Sequence, residues 1–145
     1  MKLKIKKLNE NAKIPTYGTE FSAGADLYAL LENDVIILPQ ETYLIKTGIS
    51  LEIPEGYVGL IYPRSGLATK KGLAPANKVG VIDSDYRGEI MVALFNHGKE
   101  AQKIENGERV AQIVIAPYIQ AEFEETDILS ETDRNSGGFG STGSK

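Results

Sequence analysis

The sequence predicts an all-β sandwich or barrel with little helix. Its apolar residues fall in short runs rich in Ile, Val, Leu and Tyr, which is typical of strands. Turn sequences separate these runs, among them Pro54-Glu-Gly56, Asn96-His-Gly98 and Glu105-Asn-Gly107. The length of 145 residues suits a single hydrophobic core. Many short strands at this spacing indicate a sandwich or a barrel.

The expected strands, in chain order, are Leu3–Leu8, Val35–Leu38, Tyr43–Ile53, Tyr57–Tyr62, Val79–Ile82, Ile90–Phe95 and Val110–Ile119. The one predicted helix covers Ser65–Lys71, with Ser65 as its N-cap and Gly72 at its end, because Ser favours helix starts and Gly favours helix ends.

Ile90–Phe95 is apolar on both alternating faces, and Val110–Ala116 is nearly so, with Gln112 as its polar residue. A surface strand of a small sandwich should have one polar face. The second face is therefore covered either within the domain or by another subunit, and the small size of the chain favours another subunit.

Charge and composition exclude several classes of function. The net charge is −4, so the chain lacks the excess of basic residues that is typical of a nucleic-acid binder. No cysteine is present and there is only one histidine, His97, so disulfides and multi-histidine zinc sites are not expected. Residues Met1–Lys7 are basic and alternate with apolar residues, which indicates a strand and not a signal peptide. We expect a cytoplasmic protein that binds neither nucleic acid nor membrane.

A glycine-rich segment near the end of the sequence contains the pattern GxGxxG at Gly138, Gly140 and Gly143. The sequence lacks the following helix that a dinucleotide-binding fold requires. A Gly/Ser/Thr segment preceded by Arg134 can still wrap a phosphate, because its backbone N–H groups converge and arginine adds charge. The alternative is a disordered tail.

Two further segments combine small residues with a charged group. Ser22–Tyr28 carries Asp26 in what we take to be a glycine-containing loop, where it is either a ligand-binding carboxylate or a turn former. Pro63–Ala68 follows a strand and opens the helix. Here Arg64 can pair with a phosphate, and the alternative is an ordinary capped helix.

The segment Gly80–Gly88 is predicted as strand, turn and strand. At the turn, Asp83 could act as a general base and Tyr86 could form a flat wall for a sugar or a base. An ordinary hairpin tip remains the alternative.

Taken together, these segments resemble the trimeric dUTPases over nearly the whole chain. The resemblance rests on five ordered segments: Ala23–Leu27, Pro63–Leu67, Gly80–Gly88, Gly107–Gln112 and Arg134–Gly143. Any one of them could arise by chance, but all five in order form a specific signal.

The resemblance implies a jelly-roll-like β-barrel over residues 1–133 and a flexible lid over residues 134–145. It also implies a homotrimer with active sites at subunit boundaries. The implied reaction is hydrolysis of dUTP to dUMP and pyrophosphate, by attack of water at the α-phosphorus with Mg²⁺ bound. That reaction supplies dUMP for thymidylate synthesis and keeps uracil out of DNA.

The family's site residues carry over to positions that match its motifs. Asp83 resembles the carboxylate that deprotonates water, and Asp26 the residue that holds a water on substrate-bound magnesium. The remaining matches are Arg64, Ser65, Gly66 and Gln112 for the α- and β-phosphates, Asn77, Val81, Ile82 and Met91 for uracil, Tyr86 for deoxyribose, and Arg134, Phe139, Gly140, Ser141 and Thr142 for the lid.

Two other interpretations stay open at this point. A dCTP deaminase resembles the same fold, although we would not expect it to carry Ile82–Tyr86 together with the glycine-rich lid. A non-catalytic β-sandwich that retains a nucleotide pocket is the second, in which the carboxylates are turn formers and the tail is a linker.

Overall fold

The computed structural model describes residues 1–138, and nearly all of the regular secondary structure in this part of the chain is β-strand. The strands are β1 (Lys4–Lys7), β2 (Thr16–Tyr17), β3 (Ala25–Tyr28), β4 (Val35–Ile37), β5 (Thr42–Lys46), β6 (Ile49–Glu52), β7 (Tyr57–Tyr62), β8 (Leu73–Pro75), β9 (Gly80–Ile82), β10 (Met91–Asn96), β11 (Gln102–Ile104) and β12 (Arg109–Pro117). The helix α1 (Ser65–Lys71) lies between β7 and β8. The prediction of an all-β fold with one short helix is confirmed.

The largest sheet contains five strands in the order β2-β3-β12-β7-β9. A three-stranded sheet has the order β5-β10-β8, and two strand pairs, β1-β6 and β11-β4, complete the fold. All these pairs are antiparallel. Since the central strand β12 pairs with β3 and β7, the sheet joins distant parts of the sequence.

One apolar cluster draws on all four sheets. Ile37 of β4, Ile45 of β5, Leu51 of β6 and Ile61 of β7 are each buried in it. Burial of such a side chain contributes about 1.5–3 kcal/mol. The cluster therefore fixes the sheets against one another and sets where their ends lie.

The predicted strand Tyr57–Tyr62 has the observed bounds, and most other predicted strands end within two residues of the observed ones. The single strand predicted at Tyr43–Ile53 is wrong. It divides into β5 and β6 at Gly48, whose φ of 68° is left-handed and interrupts an extended run.

The end of helix α1 agrees with the prediction, whereas its N-cap does not. Gly72 ends it with a left-handed φ of 66°, as expected, and its N–H donates to the carbonyl of Ala68. Ser65 as the N-cap is wrong, because Arg64 occupies the N-cap in an extended conformation and no side chain caps the helix among the described residues. Ser65 is instead the first helical residue.

Strand β10 buries only one of its apolar faces within residues 1–138. Val92 and Leu94 are buried, whereas Met91, Ala93 and Phe95 are partly exposed. The neighbouring strand β5 places Leu44 opposite Ala93, and Leu44 is 53% exposed. The face of β10 away from the core is therefore apolar and open.

Among the described residues, the single helix is too short and not apolar enough to cross a membrane.

Candidate functional site

The first candidate site lies across three strands of the five-stranded sheet. Asp26 of β3 is opposite Gln112 of β12, and Gln112 is opposite Tyr62 of β7. Because residues that face each other across strands share one face of a sheet, the three form a row. They line a cavity of about 500 Å³ together with Arg64, Arg109 and other residues, and we call it the arginine cavity.

Asp26 is the hub of the arginine cavity. Its Oδ1 accepts a hydrogen bond from Arg64 Nε at 2.6 Å, and its Oδ2 lies 3.3 Å from Arg109 Nη1. The Asp26 side chain is 12% exposed, compared with 26% for Arg64 and 51% for Arg109. One carboxylate between two guanidinium groups leaves a net positive charge, which suits an anionic ligand.

The structure corrects the predicted surroundings of Asp26. The residue lies in strand β3 and is buried, whereas a loop was expected from the small residues before it. Pairing of β3 with both β2 and β12 decides this, since the four residues of β3 carry too short an apolar pattern to indicate a strand alone.

Gln112 is held between a glycine and a backbone carbonyl. Its Nε2 donates to the carbonyl of Pro63 at 2.9 Å. A Cβ on Gly24 would lie 2.3 Å from Gln112 Oε1, so the glycine is required by the close approach of this amide. The predicted phosphate residues Arg64, Ser65, Gly66 and Gln112 all line the arginine cavity.

Arg109 was missed as a site residue, although it belongs to the segment Gly107–Gln112 that carried the resemblance. Arg109 lies three residues before Gln112 on β12, and the register with β3 shifts between Arg109 and Ala111. With this register, the Arg109 side chain reaches Asp26. A charged residue at the start of a mostly apolar strand was the available signal.

The second candidate site is the segment that follows β9, residues 83–90, which we call the Asp83 loop. Asp83 is exposed, and its carboxylate accepts no hydrogen bond from the described residues. It lines a separate cavity of about 870 Å³ with Lys2, Lys4 and Arg87 among the lining side chains. The carboxylate is therefore open to solvent and to a ligand.

The backbone of the Asp83 loop is held by its own side chains. Arg87 Nη1 donates to the carbonyls of Ser84 and Tyr86 at 2.7 and 3.0 Å. The backbone N–H of Tyr86 donates to the carbonyl of Asp83 at 3.2 Å. The loop has a defined shape although its surface is exposed.

The predicted hairpin between β9 and β10 is not formed by strand pairing in the described part of the chain. Strand β9 pairs with β7, and β10 pairs with β5 and β8. Val81 and Ile82 therefore lie in a different sheet from Met91, since β9 forms its backbone pairing with β7 and not with β10. Val81 is 60% exposed on this edge strand.

Asn77 lies in the turn before β9. Its Nδ2 would be 3.1 Å from a Cβ on Gly80, and the adjacent Lys78 has a left-handed φ of 62°. The turn places the amide over the first residue of β9.

The two candidate sites lie toward opposite ends of β7. Gly80 pairs with Ile61 and Ile82 pairs with Gly59, so Asp83 follows at the level of Val58. Val58 and Tyr62 are four residues apart along β7, which corresponds to about 13 Å, and Tyr62 lines the arginine cavity. The structure of one chain does not bring Asp83 together with Arg64.

The predicted lid residues fall partly within the described range. Arg134 Nε donates to the carbonyl of Gly137 at 2.8 Å, and the Gly137 N–H donates back to the carbonyl of Arg134. The residues Phe139, Gly140, Ser141 and Thr142 lie outside the described residues.

Comparison with known proteins shows the family. A model of the family described as dUTPase matches residues 10–143. The chain belongs to the dUTPase family. It is 57% identical to the deoxyuridine 5'-triphosphate nucleotidohydrolase of Nautilia profundicola, with 99% of each chain covered. It is 51% identical to that of a Hydrogenobaculum species, with both chains fully covered. The predictions of the family and of an enzyme, a dUTP diphosphatase, are confirmed.

Solved dUTPase structures have the same fold. The Staphylococcus bacteriophage 80alpha dUTPase with dUPNHPP superposes with a TM-score of 0.87 at 32% identity, and the match covers 98% of each chain. A dUTPase from phage phi11 of S. aureus, described with a structural Mg(II) ion, has a TM-score of 0.77 at 28% identity, covering 88% of this chain and 98% of that one. The predicted dUTPase-like fold is therefore confirmed.

Proposed function

We propose that the chain hydrolyses dUTP to dUMP and pyrophosphate at sites shared between copies of a homotrimer. Each site would combine the arginine cavity of one copy with the Asp83 loop of another. The observation that carries this proposal is the separation of the two candidate sites within one chain. A general base must lie within hydrogen-bond reach of the water that it activates, and about 13 Å of sheet separates the two sites.

The arginine cavity is suited to bind the triphosphate. Arg64 already points its Nε at Asp26, which leaves its terminal nitrogens as donors for phosphate oxygens. Ser65 and Gly66 are exposed at the start of α1, where hydroxyl and backbone groups can add donors. Gln112 lines the same wall.

Asp83 is proposed to take the proton from the attacking water. The water oxygen forms a bond to the α-phosphorus, and the bond from that phosphorus to the bridging oxygen breaks. Pyrophosphate leaves, and the proton passes to the Asp83 carboxylate. Positive charge on Arg64, and on Arg134 of the proposed lid, would stabilise the charge that gathers on the phosphates.

Strand β9 is proposed to read the uracil. It is an edge strand of the five-stranded sheet, so one edge of its backbone offers both N–H and C=O groups. Uracil presents the same mixture of donors and acceptors, whereas the amino group of cytosine replaces an acceptor by a donor. A buried polar group left unpaired costs ~1–3 kcal/mol, which disfavours the wrong base.

The residues present fit a magnesium ion that the substrate brings. No group of three or more His, Cys, Asp or Glu side chains gathers within residues 1–138, and the carboxylate of Asp26 stands at the wall of the proposed phosphate site. Mg²⁺ typically binds through substrate phosphates, waters and one or two carboxylates. Asp26 would hold one of those waters, and the bound ion would neutralise phosphate charge.

The open apolar faces of the strands support assembly with other copies. Met91, Ala93 and Phe95 of β10 are partly exposed, as are Val114 and Ala116 of β12. Apolar side chains left open on a strand face suit contact with another protein surface. The family and these faces together support the proposed homotrimer.

We further propose that residues 1–133 form the catalytic barrel and residues 134–145 a lid. A lid that closes on the triphosphate excludes water other than the attacking one. In a cytoplasmic setting the dUMP would feed thymidylate synthesis, and removal of dUTP would keep uracil out of DNA.

The reaction is tested by pyrophosphate release from dUTP, UTP, dCTP, dTTP, dATP and dGTP. Release from dUTP alone is expected. Ammonia released from dCTP would instead support a deaminase, and binding of dUTP without turnover would support a non-catalytic module.

The shared site is tested by mixing two inactive variants, Asp83→Asn and Arg64→Gln. Each variant keeps the half-site that the other lacks. If copies are exchanged at random after unfolding and refolding together, about one quarter of the sites would hold both intact halves. Recovery to roughly that fraction of wild-type activity is expected, and a mixture as inactive as its components would contradict the shared site.

A further inference from the structure

The side chain of Tyr86 occupies the space that a Cβ at Gly88 would need. A Cβ at this position would lie 2.3 Å from Tyr86 Oη and 2.5 Å from Tyr86 Cζ, and its three nearest atoms all belong to that ring. Gly88 is not among the glycines with positive φ, which include Gly48 and Gly107. Alanine would therefore suit the φ angle at 88, and its closest contacts would be with the tyrosine.

The Tyr86 ring is also tied at its far end. Its hydroxyl donates to the carbonyl of Glu89 at 3.1 Å. The ring thus lies over Gly88 and is tethered just beyond it, while 41% of the residue stays exposed. One side of the ring contacts the loop backbone and another part remains available to a ligand.

The loop end that carries this tether is anchored to the core. Glu89 Oε1 accepts from the N–H of Gly48 at 2.8 Å, and the N–H of Ile90 donates to the carbonyl of Ile49 at 2.8 Å. Thr47 Oγ1 donates to the carbonyl of Ile90, and Ile90 is fully buried. These contacts fix the position of the Tyr86 ring relative to the start of β6. Strand β6 belongs to a different sheet from β9.

We propose that Gly88 is the positioning residue that sets how strongly this enzyme rejects a ribose. The inference rests on the proposed function, in which the Tyr86 ring packs against the deoxyribose. A ring seated on Gly88 and tethered to Glu89 occupies one position, and that position determines whether a 2′-hydroxyl fits. Gly88 acts through the ring and does not itself touch the substrate.

A Cβ at position 88 would displace the ring, because a tyrosine side chain rotates more readily than the backbone around it moves. The hydroxyl would lose the Glu89 carbonyl, and the ring would no longer hold deoxyribose in preference to ribose. A contact that is made equally in the ground state and the transition state changes KM more than kcat.

The test is the ratio of kcat/KM for dUTP to kcat/KM for UTP in Gly88→Ala. We expect the ratio to fall by at least about tenfold, the range found for misfit by one small group. Most of the change should come from a higher KM for dUTP, with kcat changed far less. Circular dichroism and the oligomer mass should match the wild type.

The matched control is the same substitution in a Tyr86→Leu background, where no ring can be displaced. There Gly88→Ala should change the ratio by less than about twofold, because the two positions act as one unit. An equal fall in both backgrounds would overturn the inference.

Tyr86→Phe supplies a second variant if Gly88→Ala does not fold. It keeps the ring over Gly88 and removes the tether to Glu89, so a smaller fall in the ratio is expected. An unchanged ratio in the phenylalanine variant, or in a folded Gly88→Ala, would contradict the inference alone. A wild-type enzyme without preference for dUTP would instead contradict the proposed function.

Discussion

The arginine cavity and the Asp83 loop differ in how much of their geometry one chain supplies. In the arginine cavity, Asp26 is nearly buried and holds Arg64 and Arg109 by ion pairs. In the Asp83 loop, the backbone is fixed by Arg87, but the carboxylate of Asp83 is exposed and accepts no hydrogen bond from residues 1–138. The first region is preorganised, whereas the second leaves the Asp83 carboxylate without a hydrogen-bond donor among residues 1–138.

This contrast fits the proposed roles, in which the arginine cavity binds phosphate and Asp83 acts as the general base. Groups that bind phosphate gain from being fixed before the substrate arrives, since ordering them later would cost entropy. A general base must keep a free oxygen for the water proton. In the proposed shared site, a second copy of the chain brings the two regions together.

Asp83→Asn gives the largest expected effect. The amide cannot accept the water proton, so kcat for dUTP should fall by about 10²–10⁴, while the affinity for a non-hydrolysable dUTP analogue stays near that of the wild type. Single-turnover hydrolysis and calorimetric titration measure the two quantities. Substantial remaining turnover would contradict Asp83 as the base.

Deletion of residues 134–145 should have the next largest effect. Loss of the Arg134 charge and of the proposed lid should lower kcat by about a hundredfold, comparable to the loss of one transition-state donor. The described contacts of Arg134 are with Gly137 inside the same segment, so the assembly should stay folded. Thermal unfolding and sedimentation are the controls. An unaffected rate would contradict the lid and favour the alternative, a disordered tail.

Asp26→Asn should lower the free energy of unfolding more than Arg109→Gln does. The first change leaves Arg64, 26% exposed, without its partner in a partly buried site, which we expect to cost about 2 kcal/mol. The second removes a pair whose arginine is 51% exposed, worth less than about 1 kcal/mol. Urea unfolding at one fixed protein concentration compares them, and equal losses would show that Asp26 is not the hub.

The smallest expected effect concerns Glu52, beside the cavity that Asp83 lines. The Lys4 ammonium donates a hydrogen bond to Glu52 and holds the pKa of that carboxyl below its ordinary value of 4.5. Lys4→Gln should raise the pKa of Glu52 toward that value, as carbonyl ¹³C shifts would show.

The sign of the linked stability follows from the lowered pKa of Glu52. The folded state binds the proton less well than the unfolded state, so the pair stabilises the fold above the unfolded pKa and loses this as the pH falls through the folded pKa. Because both groups are exposed, the acid sensitivity of the variant should differ little from that of the wild type.

Strong local signals were sufficient for some elements. Tyr57–Tyr62 and Ser65–Lys71 have their predicted bounds. Pro63 directly follows the apolar run of the strand, and a left-handed Gly72 ends the helix, so adjacent residues specify each element. Other strands have weak local signals. The strands β2, β3, β8 and β11 have two to four residues each and carry too little periodicity to detect.

The candidate sites likewise contain some features that local motifs predict and others that depend on strand pairing. The segments around Asp26, Arg64, Asp83 and Gln112 were found as motifs, and three of these residues do line one cavity. The link from Arg109 to Asp26 was missed because it depends on a register shift in β12. The predicted hairpin was wrong because β9 pairs with β7, a choice made by distant residues.

The sequence by itself determined the all-β class, the helix, the family and the residue types that the chemistry needs, because turns, caps and ordered motifs are local properties of a chain. Only the tertiary structure decided that Asp26 is a buried hub, that Gly88 lies beneath the Tyr86 ring, and that Asp83 stands far from Arg64. Those facts depend on strand order and register, and strand pairing joins residues whose separation in sequence no local pattern encodes.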